Sequence, residues 1–99
     1  MNRPTLALLV RFKSRLSFDE AMNVAYDRID QFRALEGLQQ KYYLYDEASD
    51  EFAGFYLWAS KEAFDAYRES ELRAGIAAAY QAVEKPRVEV YRIVETLRD

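Results

Sequence analysis

The amino-acid sequence predicts an α+β domain whose elements run β-α-β-β-α-β. Three observations carry that expectation. Residues 5–12 and 87–95 alternate as strands near the two ends. Residues 51–67 read as a strand that stops at Ser60 and turns straight into an amphipathic helix. A polar turn, Glu47-Ala48-Ser49-Asp50, joins two aromatic runs and so makes an antiparallel hairpin.

In the first strand, residues 5–12, Leu6, Leu8, Val10 and Phe12 form one face. Thr5, Ala7, Leu9 and Arg11 form the other. Both faces are apolar for most of their length, so the strand calls for cover on both sides. Ser17-Phe18-Asp19-Glu20 reads as a capping box, with Ser17 at the N-cap and Glu20 three residues on. Phe18, Met22, Ala25, Ile29 and Phe32 recur at helical steps as one buried stripe. This helix is expected to run to about Leu35, with Gly37 as its left-handed cap.

The second strand, Leu38–Asp46, sets Gln40, Tyr42 and Leu44 opposite Lys41, Tyr43 and Tyr45. Gly54 inside the third strand marks a bulge or a close approach. Ser60 caps the second helix, whose periodic residues are Phe64, Tyr67, Leu72, Ile76, Tyr80 and Val83. Gly75 costs about 1 kcal/mol against alanine in a helix interior, so a break is expected between Ser70 and Gly75. Pro86 ends the helical run ahead of the fourth strand.

This order is the split βαβ, ferredoxin-like arrangement: a four-stranded antiparallel sheet with two helices on one face. The 99 residues read as one such domain, 1–99. The apolar residues of the helix-free face need a partner, and a sheet-to-sheet homodimer supplies it most simply.

Composition narrows the chemistry. The chain is 51% hydrophobic and 31% charged, as in an ordinary globular domain. Its longest apolar run, residues 6–10, is too short for a membrane span, so no membrane partner and a cytoplasmic location are expected. A net charge of −3 offers no footprint for nucleic acid. There is no cysteine and no histidine, hence no thiolate, no disulfide and none of the commonest metal and haem ligands. No glycine-rich dinucleotide fingerprint is present, and neither a metal nor an organic cofactor is expected.

Leu35-Glu36-Gly37-Leu38, residues 53–58 (Ala-Gly-Phe-Tyr-Leu-Trp) and residues 60–67 (Ser-Lys-Glu-Ala-Phe-Asp-Ala-Tyr) resemble the dimeric α+β barrel superfamily. Within it the chain most resembles the YdhR-like mono-oxygenase family, relatives of the antibiotic-biosynthesis mono-oxygenases. The resemblance implies a homodimer whose two sheets close into a barrel, with a pocket between sheet and helices in each subunit. It also implies a cofactor-independent oxygenase, in which an electron-rich aromatic or polyketide-like substrate is deprotonated and itself reduces dioxygen. A haem-degrading branch of the superfamily uses Asn, Trp and His. Tyr67 stands in place of that branch's helix tryptophan, and its histidine has no counterpart here.

Tyr67, on the buried stripe of the second helix, and Arg11, a cation between apolar neighbours, are the candidate catalytic residues. Lys41 and Tyr43 on one strand face, Trp58 and Phe64 around the strand–helix turn, and Arg73 near the helix break are the candidate substrate-binding residues. Plainer roles are open to most of them: core packing for Tyr67, core or dimer packing for Trp58, snorkelling at the strand's end for Arg11, a dimer seam for Lys41 and Tyr43, solvated surface for Arg73. No side chain stands out in the sequence as a base poised near neutrality. The alternatives to an oxygenase are a dimer that binds or senses a small apolar or aromatic ligand, and a purely structural dimer.

Overall fold

The structure is a computed structural model and describes residues 3–98. Its elements are β1 (Leu6–Phe12), α1 (Phe18–Arg33), β2 (Leu38–Asp46), β3 (Glu51–Trp58), α2 (Lys61–Arg68), α3 (Glu71–Ala74), α4 (Ile76–Ala79) and β4 (Arg87–Arg92). The strands form one antiparallel sheet in the order β2-β3-β1-β4, the predicted ferredoxin-like arrangement.

The β1–β3 register pairs Leu8 with Tyr56, Val10 with Gly54 and Phe12 with Phe52. These residues face the helices. Leu8, Tyr56 and Trp58 meet Phe32, Phe64 and Tyr67 in one aromatic half of the core. Phe12 and Phe52 meet Ala21, Ala25, Ile76 and Tyr80 in the other. The opposite sheet face carries Ala7, Leu9, Tyr42, Leu44, Phe55 and Leu57, with Arg11 paired across from Ala53. Among the described residues no helix covers it.

The local signals act as expected at several points. Ser17 and Glu20 make both halves of the capping box. Ser60 accepts a hydrogen bond from the Ala63 amide at 3.1 Å and starts α2. The second helical run breaks into three short pieces, with Ser70 capping α3 and Gly75 separating α3 from α4.

Other expectations need correction. The first helix ends at Arg33, and Gly37 lies three residues past its Ala34 cap. Gly37 is left-handed (φ +82°) for a different reason. A Cβ there would stand 2.3 Å from the Cβ of Ala63, so glycine lets this loop pass against α2. The bulge falls between Leu38 and Gln40 rather than at Gly54. Gly54 is a close approach: a Cβ would meet the Tyr56 ring at 2.9 Å and the Lys41 stem at 3.3 Å. The fourth strand ends at Arg92 because its partner β1 begins at Leu6; beyond it the Ile93 amide bonds the Thr5 carbonyl at 2.9 Å.

Candidate functional site

The two halves of the core are filled differently. Where α1 presents Phe32 and α2 presents Phe64 and Tyr67, rings fill the space. Trp58, fully buried, lies 5.2 Å from Tyr67 and 6.2 Å from Phe64 between ring centres. Two to three turns further toward its N-terminus, the buried residues that α1 offers are the small Ala21 and Ala25. The sheet opposite them carries Gly54. Small side chains on both sides leave a cavity of about 160 Å³.

Its walls are almost wholly apolar and aromatic. α1 supplies Phe18, Ala21, Met22 and Ala25, β1 supplies Val10 and Phe12, and α4 supplies Ile76, followed by Tyr80. From β2 and β3 come Lys41, Tyr43, Tyr45, Phe52, Gly54 and Tyr56. The rings brace one another, with Phe12 and Tyr80, and likewise Tyr45 and Phe52, 4.9 Å apart. The Tyr45 hydroxyl is tied to Asp50, and Tyr56 meets the Tyr67 hydroxyl at 3.3 Å.

Among the described lining residues Lys41 alone carries a charge. Its Nζ lies 3.5 Å from the centre of the Phe32 ring, 4.4 Å from Tyr43 and 4.6 Å from Tyr56. No ion pair with a carboxylate holds it among the described residues. Burial, reinforced by the nearby Arg28 guanidinium, lowers its pKa from 10.5 to about 7. The ring faces pull the other way, since they attract the ammonium, but each is worth only ~0.5–2 kcal/mol. Arg28 itself is fixed on α1, donating to the Leu72 carbonyl at 2.7 Å.

The tyrosines are pushed in the opposite direction. Burial raises Tyr43 and Tyr67, takes Tyr80 up to about 12 and lifts Tyr56 well above the ordinary range. All four stay phenols at neutral pH. Tyr67 therefore does not provide a tyrosinate, and it reaches the cavity only through the Tyr56 hydroxyl.

The predicted site residues thus separate. Lys41 and Tyr43 line the cavity. Tyr67 and Trp58 are packed solid behind it, and Phe64 borders a shallow groove with Thr5, Val90 and Arg92. Phe55 points away from Phe64 and Tyr67 to the other sheet face, because strand alternation sends it to the side opposite Tyr56. Arg11 lies on that same outer face, 2.9 Å from Glu51 and 3.5 Å from Asp46. Arg73 sits on α3 outside the cavity. Sequence reasoning named Lys41 as a substrate-binding candidate; what it missed is the lowered pKa that burial brings. Of the cavity's small wall residues only Ala25 stood on the stripe read from the sequence; Ala21, one turn before it, lies outside that stripe.

The family model described as "Putative mono-oxygenase ydhR" matches residues 7–99. The chain belongs to this family. No curated protein sequence matches it. Solved structures share its fold at low sequence identity. A protein of unknown function from Nitrosomonas europaea superposes with a TM-score of 0.79 at 18% identity, over 100% of this chain and 98% of that one. SnoaB, a cofactor-independent oxygenase from Streptomyces nogalater, gives 0.76 at 16% identity, over 97% and 99%. A putative antibiotic biosynthesis monooxygenase from Caulobacter crescentus gives 0.76 at 15%, over 94% and 92%. Among the described residues of this ydhR-family chain, no helix is long and apolar enough to cross a membrane, and no cluster of acidic residues has the makings of a metal site.

Proposed function

We propose that this ydhR-family protein is a mono-oxygenase that works without metal or organic cofactor on a small aromatic molecule held in the Lys41 cavity. The observation that carries the reading is the cavity itself: a largely apolar, aromatic slot of about 160 Å³ with one lysine in its wall. An electron-rich aromatic becomes a reductant for dioxygen once it is an anion. One oxygen atom becomes a ring carbonyl as the substrate's phenolic O–H and one ring C–H break, and the other leaves as water with those two hydrogens, so that a phenol gives a quinone and supplies all four electrons itself. The protein's part is to seat the ring, exclude water and stabilise the anion.

Lys41 is placed for the last of these tasks, a role that Arg11 cannot fill from the far side of the sheet. A preorganised positive partner in such a slot is worth ~3 kcal/mol in the transition state. Tyr43 shares the wall with it, while Tyr67, Trp58, Phe64 and Arg73 shape the site from behind or beside it.

The same reading takes the protein to be a homodimer closed through the helix-free sheet face, in the cytoplasm. The exposed Tyr42 and Leu44 and the half-buried Leu9, Phe55 and Leu57 on that face support the dimer. Val90 does not belong to this seam, because its register with Leu8 puts it on the helix side.

Oxygen uptake by purified protein against a panel of one- to three-ring phenols and enols is the test. Uptake that needs no added reductant or metal is expected. A panel member that binds and never consumes oxygen would favour a ligand-binding dimer instead.

A further inference from the structure

Resting on the cavity as the substrate site, we infer that Lys41 itself takes the proton from the substrate, and that the substrate is a one-ring acid such as a substituted phenol. Four observations converge on that assignment. Lys41 lines the cavity on one side and an open groove with Phe32 and Tyr43 on the other, and among the described residues no carboxylate pairs with its amine. The groups facing it are Arg28 from α1, Tyr43 from β2 and Tyr56 from β3, one a cation and two phenols that burial keeps neutral. The Phe32, Tyr43 and Tyr56 ring faces surround the place where the ammonium forms. The volume of about 160 Å³ is close to that of an apolar cavity known to hold benzene, so a single ring fits it.

The step balances within the site. A phenol O–H breaks, the proton forms a third N–H bond on the Lys41 amine, and a phenolate–ammonium pair results. The rings and the new anion then favour the ammonium that burial disfavoured before binding. Proton transfer and charge stabilisation thus fall to one residue.

The probe is 3-nitrophenol, a one-ring phenol that is mostly neutral in water at about pH 7.5 and whose phenolate has its own absorption band. Binding to wild-type protein should bring up that band. The binding heat should be independent of the buffer's ionisation enthalpy, because the proton stays in the site. Lys41→Met should lose the band. Lys41→Arg, charged but unable to accept a proton, should keep the band and release about one proton per site to the buffer.

The inference is overturned if the probe does not bind, if it binds to wild type as the neutral phenol, if Lys41→Met retains the band, or if wild type releases a full proton. These outcomes are separate from the oxygenase reading. A bound phenolate with no oxygen uptake by any acidic aromatic would support the proton assignment and remove the mono-oxygenase. Oxygen uptake at the wild-type rate by Lys41→Met would do the reverse.

Discussion

Lys41→Met should make the protein more stable at neutral pH, although it removes the one charge in the cavity wall. In the folded chain burial, and secondarily Arg28, lowers the amine's pKa from 10.5 to about 7. In the unfolded chain the same lysine sits in water and holds its proton normally. At about 1.4 kcal/mol per pH unit, the gap corresponds to about 5 kcal/mol against folding when the group is charged. Between pH 7 and 10.5 the unfolded chain binds more protons than the folded one, so wild-type stability rises with pH across that window. Below it the penalty is fully present, and above it the penalty is gone. Urea unfolding followed by the fluorescence of Trp58, the only tryptophan and a fully buried one, reads this directly. The pH-dependent advantage of Lys41→Met should be about 5 kcal/mol near pH 6, shrink from neutrality upward and vanish near pH 10.5. An advantage that does not change with pH would refute the reasoning, as would a wild type that is the more stable protein near pH 6.

Gly54→Ala should cost ~1–3 kcal/mol by overpacking, because its Cβ meets the Tyr56 ring at 2.9 Å, and it should weaken 3-nitrophenol binding by displacing the Lys41 stem. A neutral result in both urea unfolding and probe titration would show that the cavity wall is softer than the geometry implies. Trp58→Ala should cost ~3–5 kcal/mol, whereas Trp58→Phe should cost clearly less, since it also deletes a buried indole N–H with no acceptor. Equal losses in the two variants would contradict that account of the aromatic half of the core. Phe55→Glu, on the helix-free face, should shift the protein toward a species of 11.6 kDa in sedimentation while Val90→Glu leaves the association unchanged. The reverse pattern would place the seam on the other side of the sheet.

Much of the fold is legible in the sequence because its signals are local. The Ser17–Glu20 box, the Ser60 cap, the turn at residues 47–50 and the period-two strands each specify their element without help from distant residues. The site is less legible because it depends on what is missing. Tyr67, Trp58 and Phe64 are the conspicuous residues of the strand–helix turn, yet three large rings in one layer fill their space and leave no room for a ligand. The cavity forms where Ala21, Ala25 and Gly54, residues far apart in the chain, come face to face and contribute almost no volume. Arg11 illustrates the other difficulty. Its face was readable from alternation, but the Glu51 and Asp46 carboxylates that neutralise it come from the next hairpin. The depressed affinity of Lys41 for its proton is likewise a product of tertiary burial. On the sequence alone it is one of four lysines.

The most direct measurement is an NMR titration of the Lys41 side chain, following its Cε resonance from acid to alkaline pH in the free protein. The account predicts a midpoint of about 7, set by burial and by Arg28. A midpoint near 10.5 would mean that the amine is solvated and fully charged at neutrality, and would contradict the Lys41 cavity as a site where a substrate gives up its proton.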